Sequence, residues 1–214
     1  MKEINVDSRW PATALFWGSV WGATEATAGY LLHLLKIPGL AGMVMFPIGV
    51  FFMLKAYQSC GRAKVIWLTA LTASSIKLAN LAAPLSGPEA AFNPAVAILL
   101  ESFAVMGILA LVKKFPSAPR VPVYFSAALA WQGLFLAFIW FQQTLAGGGG
   151  ILDTGGSGLL RFLGLNPLVN ALFLTVIFHR FKSRLQKEGA VFILRFPAVP
   201  ALTFISAVIL EWII

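Results

Sequence analysis

The chain has 214 residues, of which 59% are hydrophobic and only 11% charged, and its mean hydropathy is +0.84. Soluble domains carry about a quarter charged residues, so this composition cannot cover a water-soluble surface, and 214 residues leave no room for a soluble domain beside six or seven spans of roughly 20 residues each. The net charge of +8, from 16 basic and 8 acidic residues, would point to nucleic acid in a soluble protein; here the basic residues punctuate apolar runs, which reads as membrane-loop charge and predicts no nucleic-acid partner.

The expected fold is all-α: a polytopic transmembrane helical bundle forming a single integral domain over 1–214. Apolar runs between Pro, Gly and charge clusters place spans at about 11–35, 40–57, 64–83, 94–112, 121–145 and 164–181. A seventh segment near 193–213 is crowded by Arg195, Pro197 and Pro200 at its start and has Glu211 near its end, so a re-entrant or interfacial course is an alternative to spanning. The first run is longer than a signal-peptide core and contains Glu25, so it reads as a span. A single cysteine, Cys60, excludes an internal disulfide, a Cys-based zinc site and a CxxC redox pair.

Twelve of the sixteen basic residues fall before the first span and after the second, fourth and sixth, among them Arg62, Lys64, Lys113, Lys114, Arg180 and Lys182. The alternate loops hold Lys36 and Arg161 beside Glu89 and Asp153. That asymmetry predicts a multi-pass protein of the cell (plasma) membrane with its N-terminus in the cytoplasm. The glycine-rich segment Gly147–Gly158 is then an external loop, either a plain connector or a lid over a cavity.

An ionisable side chain at bilayer depth costs several kcal/mol and usually marks a site or pathway. Glu25, Lys77 and Glu101 lie within apolar runs, with Asn80, Gln132, Asn170 and His33. Counted from span midpoints at about 1.5 Å per residue, Glu25, Lys77, Glu101 and Asn170 lie roughly 3 to 6 Å outward of centre. Gln132 is central, and Asn80 and His33 lie further out. On the first span Gly18, Gly22, Glu25, Gly29 and His33 share a stripe. Its glycines suit close helix packing, whereas its carboxylate needs a cation, a donor or a ligand. Trp17 and Trp21 flank the stripe and either pack or line a cavity. Lys77 is expected to neutralise Glu101 or Glu25, leaving one carboxylate for a proton, a cation or a substrate amine. Glu25, Lys77, Glu101, Asn80, Gln132, Asn170, His33 and Trp21 are therefore the candidate substrate-binding residues.

No phosphate-binding GxxxxGK[ST] motif occurs, so energy must come from elsewhere. The GGSG at 155–158 resembles the nucleophile motif of rhomboid intramembrane proteases, but neither His33 nor His179 is placed to act as its base. No catalytic residues, cofactor or resident metal are predicted, with a His33, Glu25 and Glu101 metal site as the weaker option.

The stretch GSVWGATEATAGYLLHLLKIPGLAGMVMFPIG, Gly18 to Gly49, resembles the first helix, first loop and second helix of the substrate-binding membrane subunits (S components) of energy-coupling factor transporters, a likeness of pattern that extends over about 11–182. The resemblance implies a subunit without ATPase activity that binds a vitamin or metal ion from outside. It also implies docking on a transmembrane scaffold carrying two ATPases through small-xxx-small motifs, for which Ala23 with Thr27 and Ala70 with Ser74 are the matching positions. A possible seventh span departs from the six-helix pattern. The expected function is a transport subunit for a small polar solute; the alternatives are a stand-alone ion- or proton-coupled carrier, or a membrane enzyme or assembly factor.

Overall fold

A computed structural model of the chain describes residues 10–37, 39–82, 88–146, 155–182, 196 and 198–214. Residues 147–154 of the predicted glycine-rich loop, and 193–195 and 197 at the start of the predicted seventh segment, lie outside these.

The described residues form helices and no strands, as lipid requires of a chain that must satisfy its backbone N–H and C=O groups internally. Helix α1 (Trp10–Thr24) runs through a π-helical turn (Glu25–Gly29) into α2 (Tyr30–Leu34) without leaving the helical path. After a tight turn come α3 (Leu40–Cys60) and α4 (Lys64–Leu78), which ends in a 3-10 turn (Ala79–Ala82). Then follow α5 (Pro88–Lys114) and α6 (Arg120–Ala146). A short α7 (Gly155–Leu160) passes through a second π turn (Arg161–Leu165) into α8 (Asn166–Lys182). Helix α9 (Ala198–Ile213) closes the chain.

Five of these helical stretches are long and apolar enough to cross a membrane: Leu40–Cys60, Lys64–Ala82, Pro88–Lys114, Arg120–Leu145 and Gly155–Arg180. The protein is a multi-pass helical membrane bundle. Its exposed surface is apolar, with Leu71, Phe103, Leu134, Trp140, Phe141, Leu172, Phe173 and Val176 among the residues facing outward, a surface suited to acyl chains and not to water. Two helices start earlier than their apolar runs. Helix α5 begins at Pro88 and not near 94, because a proline is tolerated in a first turn whose N–H groups have no helical partner. Gly155–Gly158, read as loop from composition, is helical and leads into α8.

Glycines set the turns between helices. Gly39 precedes α3 and Gly61 follows it, both left-handed at φ 77° and 67°, a conformation that a side chain disfavours. The Gly61 N–H closes α3 on the Tyr57 carbonyl at 2.7 Å. Helix α3 packs against α1, α4, α5 and α8; α1 lies along α4, α4 along α5, α5 along α6, and α6 along α8. The apolar core under α3 includes Phe46, Val50, Met53, Val105, Ile108 and Leu174. Helix α9 lies outside this set, against α1 and α4.

Because consecutive long helices alternate in direction, the basic residues Arg62, Lys64, Lys113, Lys114, Arg120 and Arg180 gather at one end of the bundle. Lys64 Nζ sits 4.0 Å from the Trp10 ring centroid there, a cation–π contact. The other end is held by Asn166, whose Nδ2 donates to the Gly39 carbonyl at 2.9 Å and ties α8 to the turn before α3. Asn166 is 1% exposed. Asn166→Ala is expected to cost about 1 kcal/mol, the net worth of one hydrogen bond, because the Gly39 carbonyl still accepts from the Met43 N–H at 3.0 Å; thermal unfolding in detergent measures it.

Candidate functional site

Two cavities open in the half of the bundle away from the basic end. The inner one, of about 180 Å³, lies among Glu25, His33, Gly39, Gly42, Met45, Asn93, Pro94, Ala97, Glu101, Trp131, Phe135 and Phe162. The larger one, about 610 Å³, is bordered by Glu25, Gly29, Tyr30, His33, Lys77, Asn80, Glu89, Asn93, Pro94, Glu211 and Trp212. They share Glu25, His33, Asn93 and Pro94 and are therefore adjoining chambers.

The local chain explains how Glu25 reaches both. Gly18 and Gly22 press α1 onto α4: a Cβ at Gly18 would stand 2.5 Å from the Thr69 carbonyl oxygen, and one at Gly22 2.6 Å from Ile76 Cδ1. The predicted stripe thus divides, its first two glycines forming the helix seam while Glu25, Gly29 and His33 border the larger cavity. The π turn at Glu25–Gly29 inserts an extra residue at the point of division; such bulges frequently accompany functional sites. Trp21, fully buried, donates its Nε1–H to Glu25 Oε1 at 3.2 Å. Its ring occupies the notch left by Gly49, and Glu101 Oε2 borders the same notch. The indole thus lies beside both carboxylates, outside the cavity they line. Trp21 lines neither cavity; it orients Glu25.

Helix α5 brings Glu101, 3% exposed, and its Oε2 has no hydrogen-bond partner among the described residues. The far wall of the inner cavity is aromatic. Ring centroids of Trp131 and Phe135 are 6.4 Å apart, and Phe162, in the π turn before α8, stands 6.4 Å from Trp131 and 6.3 Å from Phe135. Pro94 supplies no N–H to the preceding turn of α5, which leaves that turn open to cavity hydrogen bonding.

Lys77 does not neutralise Glu101 or Glu25. Its Nζ pairs with Glu211 Oε1 at 2.8 Å, and Asn80 Nδ2 donates to the same oxygen at 3.0 Å. The C-terminal helix therefore enters the site directly, with Trp212 Nε1 on the Ala79 carbonyl at 3.1 Å. With Lys77 occupied, neither Glu25 nor Glu101 has an ion-pair partner among the described residues.

Gln132 and Asn170 share the predicted depth but line neither cavity. Both are fully buried, with amide atoms that have no partner among the described residues. Ala70 and Ser74, the second predicted docking motif, are also buried, and Ser74 Oγ donates to the Ala95 carbonyl of α5 at 3.1 Å. Those small residues serve the α4–α5 contact. Thr27 is exposed, its hydroxyl turned back to the Ala23 carbonyl at 2.9 Å. Among the described residues no group of three or more His, Cys, Asp or Glu side chains is gathered as a metal site, so His33, Glu25 and Glu101 do not form one. Ser157 is exposed on α7.

Reasoning from sequence missed Glu211, Trp131 and Phe162. Glu211 carried a signal, since it is a carboxylate in an apolar run, as are Glu25 and Glu101. No protein family, curated protein or solved structure matches the chain. Fold and cavity together define a multi-pass helical membrane protein with carboxylates buried inside the bundle.

Proposed function

We propose that the protein is a membrane transport subunit that binds a small polar solute, a vitamin-like compound or a cation, from the outer face of the plasma membrane and relies on partner scaffold and ATPase subunits for energy. The observation that carries this reading is Glu101, a buried carboxylate without a partner among the described residues, on the wall of an aromatic-lined cavity that it shares with Glu25. A carboxylate held at bilayer depth is costly unless something compensates it, and a solute does so at a binding site. The basic residues at the opposite end of the bundle support a cytoplasmic N-terminus with the cavities toward the outside. The likeness of Gly18–Gly49 to an S component supports partner dependence, with the half-buried Ala23 and the exposed Thr27 as the proposed docking motif.

Mild-detergent purification followed by mass spectrometry of bound small molecules and co-purifying proteins tests the reading. The expected result is a small solute lost from Glu25→Gln and Glu101→Gln, together with a scaffold and an ATPase. Recovery of neither, with proton-driven uptake by the protein alone in vesicles, would replace it with a stand-alone carrier.

A further inference from the structure

Resting on that solute-binding reading, we infer that the inner cavity takes a protonated amine carried on a single small ring, with the ammonium between Glu25 and Glu101 and the ring against Trp131, Phe135 and Phe162.

Size sets the first limit. Ligand pockets commonly run from about 300 to 1,000 Å³, while an apolar protein cavity of about 150 Å³ holds one benzene. A chamber of about 180 Å³ therefore accommodates one ring and a short polar arm. Charge sets the second. Its wall carries two carboxylates and no lysine or arginine, the nearest chamber's Lys77 being bound to Glu211 at 2.8 Å. An anion would meet uncompensated repulsion here, and a neutral ring would leave the carboxylates without a counter-charge.

Hydrogen-bonding chemistry narrows the cation. Glu101 Oε2 and Asn93 Oδ1 are buried acceptors with no donor among the described residues. A primary ammonium brings three N–H donors to such acceptors. A quaternary ammonium brings none, and a bare metal ion would find an apolar aromatic wall and no gathered ligand set among the described residues. The three aromatic rings attract a cation through their faces as well as excluding water. The adjoining chamber adds Glu89 and Glu211 to the shared Glu25, against Lys77 and His33. Three carboxylates thus border the chamber beside the site, which raises the local concentration of cations.

The test uses the purified full chain in detergent and isothermal titration calorimetry with three single-ring probes of similar size: benzylamine, benzyl alcohol and benzoate. Benzylamine is expected to bind at least tenfold more tightly than either of the others and to raise the unfolding temperature. Glu101→Gln is expected to weaken benzylamine binding at least tenfold. Ala97→Leu keeps both carboxylates and fills the chamber, so it is expected to abolish benzylamine binding while the unliganded protein unfolds at or above the wild-type temperature. Equal or tighter binding of benzyl alcohol or benzoate, no binding of benzylamine, or undiminished binding to Ala97→Leu would overturn the inference. The two readings fail separately. A co-purified neutral or anionic solute sinks the amine and leaves the transport subunit standing, whereas benzylamine binding as described, with uptake independent of any partner protein, retains the amine site and removes the partner-dependent subunit.

Discussion

Lys77→Met lowers the unfolding free energy of the protein in mixed micelles by about 3 to 5 kcal/mol, the usual cost of removing one partner from a buried ion pair. The Lys77 and Glu211 side chains are 11% and 2% exposed, and their 2.8 Å contact joins residues 134 positions apart. Without the ammonium, Glu211 keeps one amide donor from Asn80 on Oε1, while its Oε2 has no partner among the described residues to begin with. The loss is thus a buried carboxylate left nearly bare. Glu211→Met is expected to do comparable damage from the other side, leaving the Lys77 ammonium beside Asn80. The double variant Lys77→Met with Glu211→Met is expected to recover most of the loss, because an apolar pair of similar volume replaces a desolvated ionic one at little cost. A single variant as stable as wild type would show that α9 is not fastened here. A double variant no better than either single one would show that packing at this corner, and not charge, holds the helix.

Height along the bundle was legible in the sequence; rotation about each helix was not. Counting residues from span midpoints put Glu25, Glu101, Gln132 and Asn170 at similar depth, because the rise per residue is nearly constant. Which of them face one chamber depends on how each helix turns toward its neighbours, and that is decided by packing. Glu25 and Glu101 meet a common cavity, while Gln132 and Asn170 are buried elsewhere. The π turn at Glu25–Gly29 is a case in point: an inserted residue rotates everything beyond it, and no composition rule marks where it falls. Lys77 shows the same limit. Its charge predicted a buried acid partner, Glu101 or Glu25, but the course of α9 across α1 and α4 brings Glu211 to it instead. The seventh segment itself was visible as an apolar run, and its uncertain role arose from the prolines at its start. Pro200 falls in the first turn of Ala198–Ile213, where a missing N–H costs no helical bond. Glycine-rich composition misled over 155–158 because it measures backbone freedom in the unfolded chain, and here glycines simply occupy the first turn of α7.

Gly18→Val is expected to cost about 3 kcal/mol, at the upper end for overpacking in a well-packed interior. A Cβ at this position would lie 2.5 Å from the Thr69 carbonyl oxygen and 2.5 Å from Thr72 Cβ. One neighbour is backbone and the other is the fixed root of a β-branched side chain, so neither can rotate away. Relief requires α1 and α4 to separate by about 1 Å, enough to bring the contacts back to ordinary carbon van der Waals distance. Gly22 provides the control on the same seam. Its added Cβ would meet Ile76 Cδ1 at 2.6 Å, but that atom ends a flexible side chain, and the next contacts are at 3.1 and 3.2 Å. Gly22→Ala is therefore expected to cost under about 1 kcal/mol, since alanine's better helix propensity offsets part of the repacking. Thermal unfolding of Gly18→Ala, Gly18→Val and Gly22→Ala in one detergent orders them directly. Gly22→Ala worse than Gly18→Ala, or a Gly18→Val protein of wild-type stability, would contradict the α1–α4 packing. The consequence reaches the site as well. Lys77 lies two turns beyond Thr69 on α4, so a separation at Gly18 shifts the ammonium relative to Glu211 on α9. Gly18→Val combined with Lys77→Met is then expected to lose less than the sum of the two single losses, because each loosens the same corner that the other depends on.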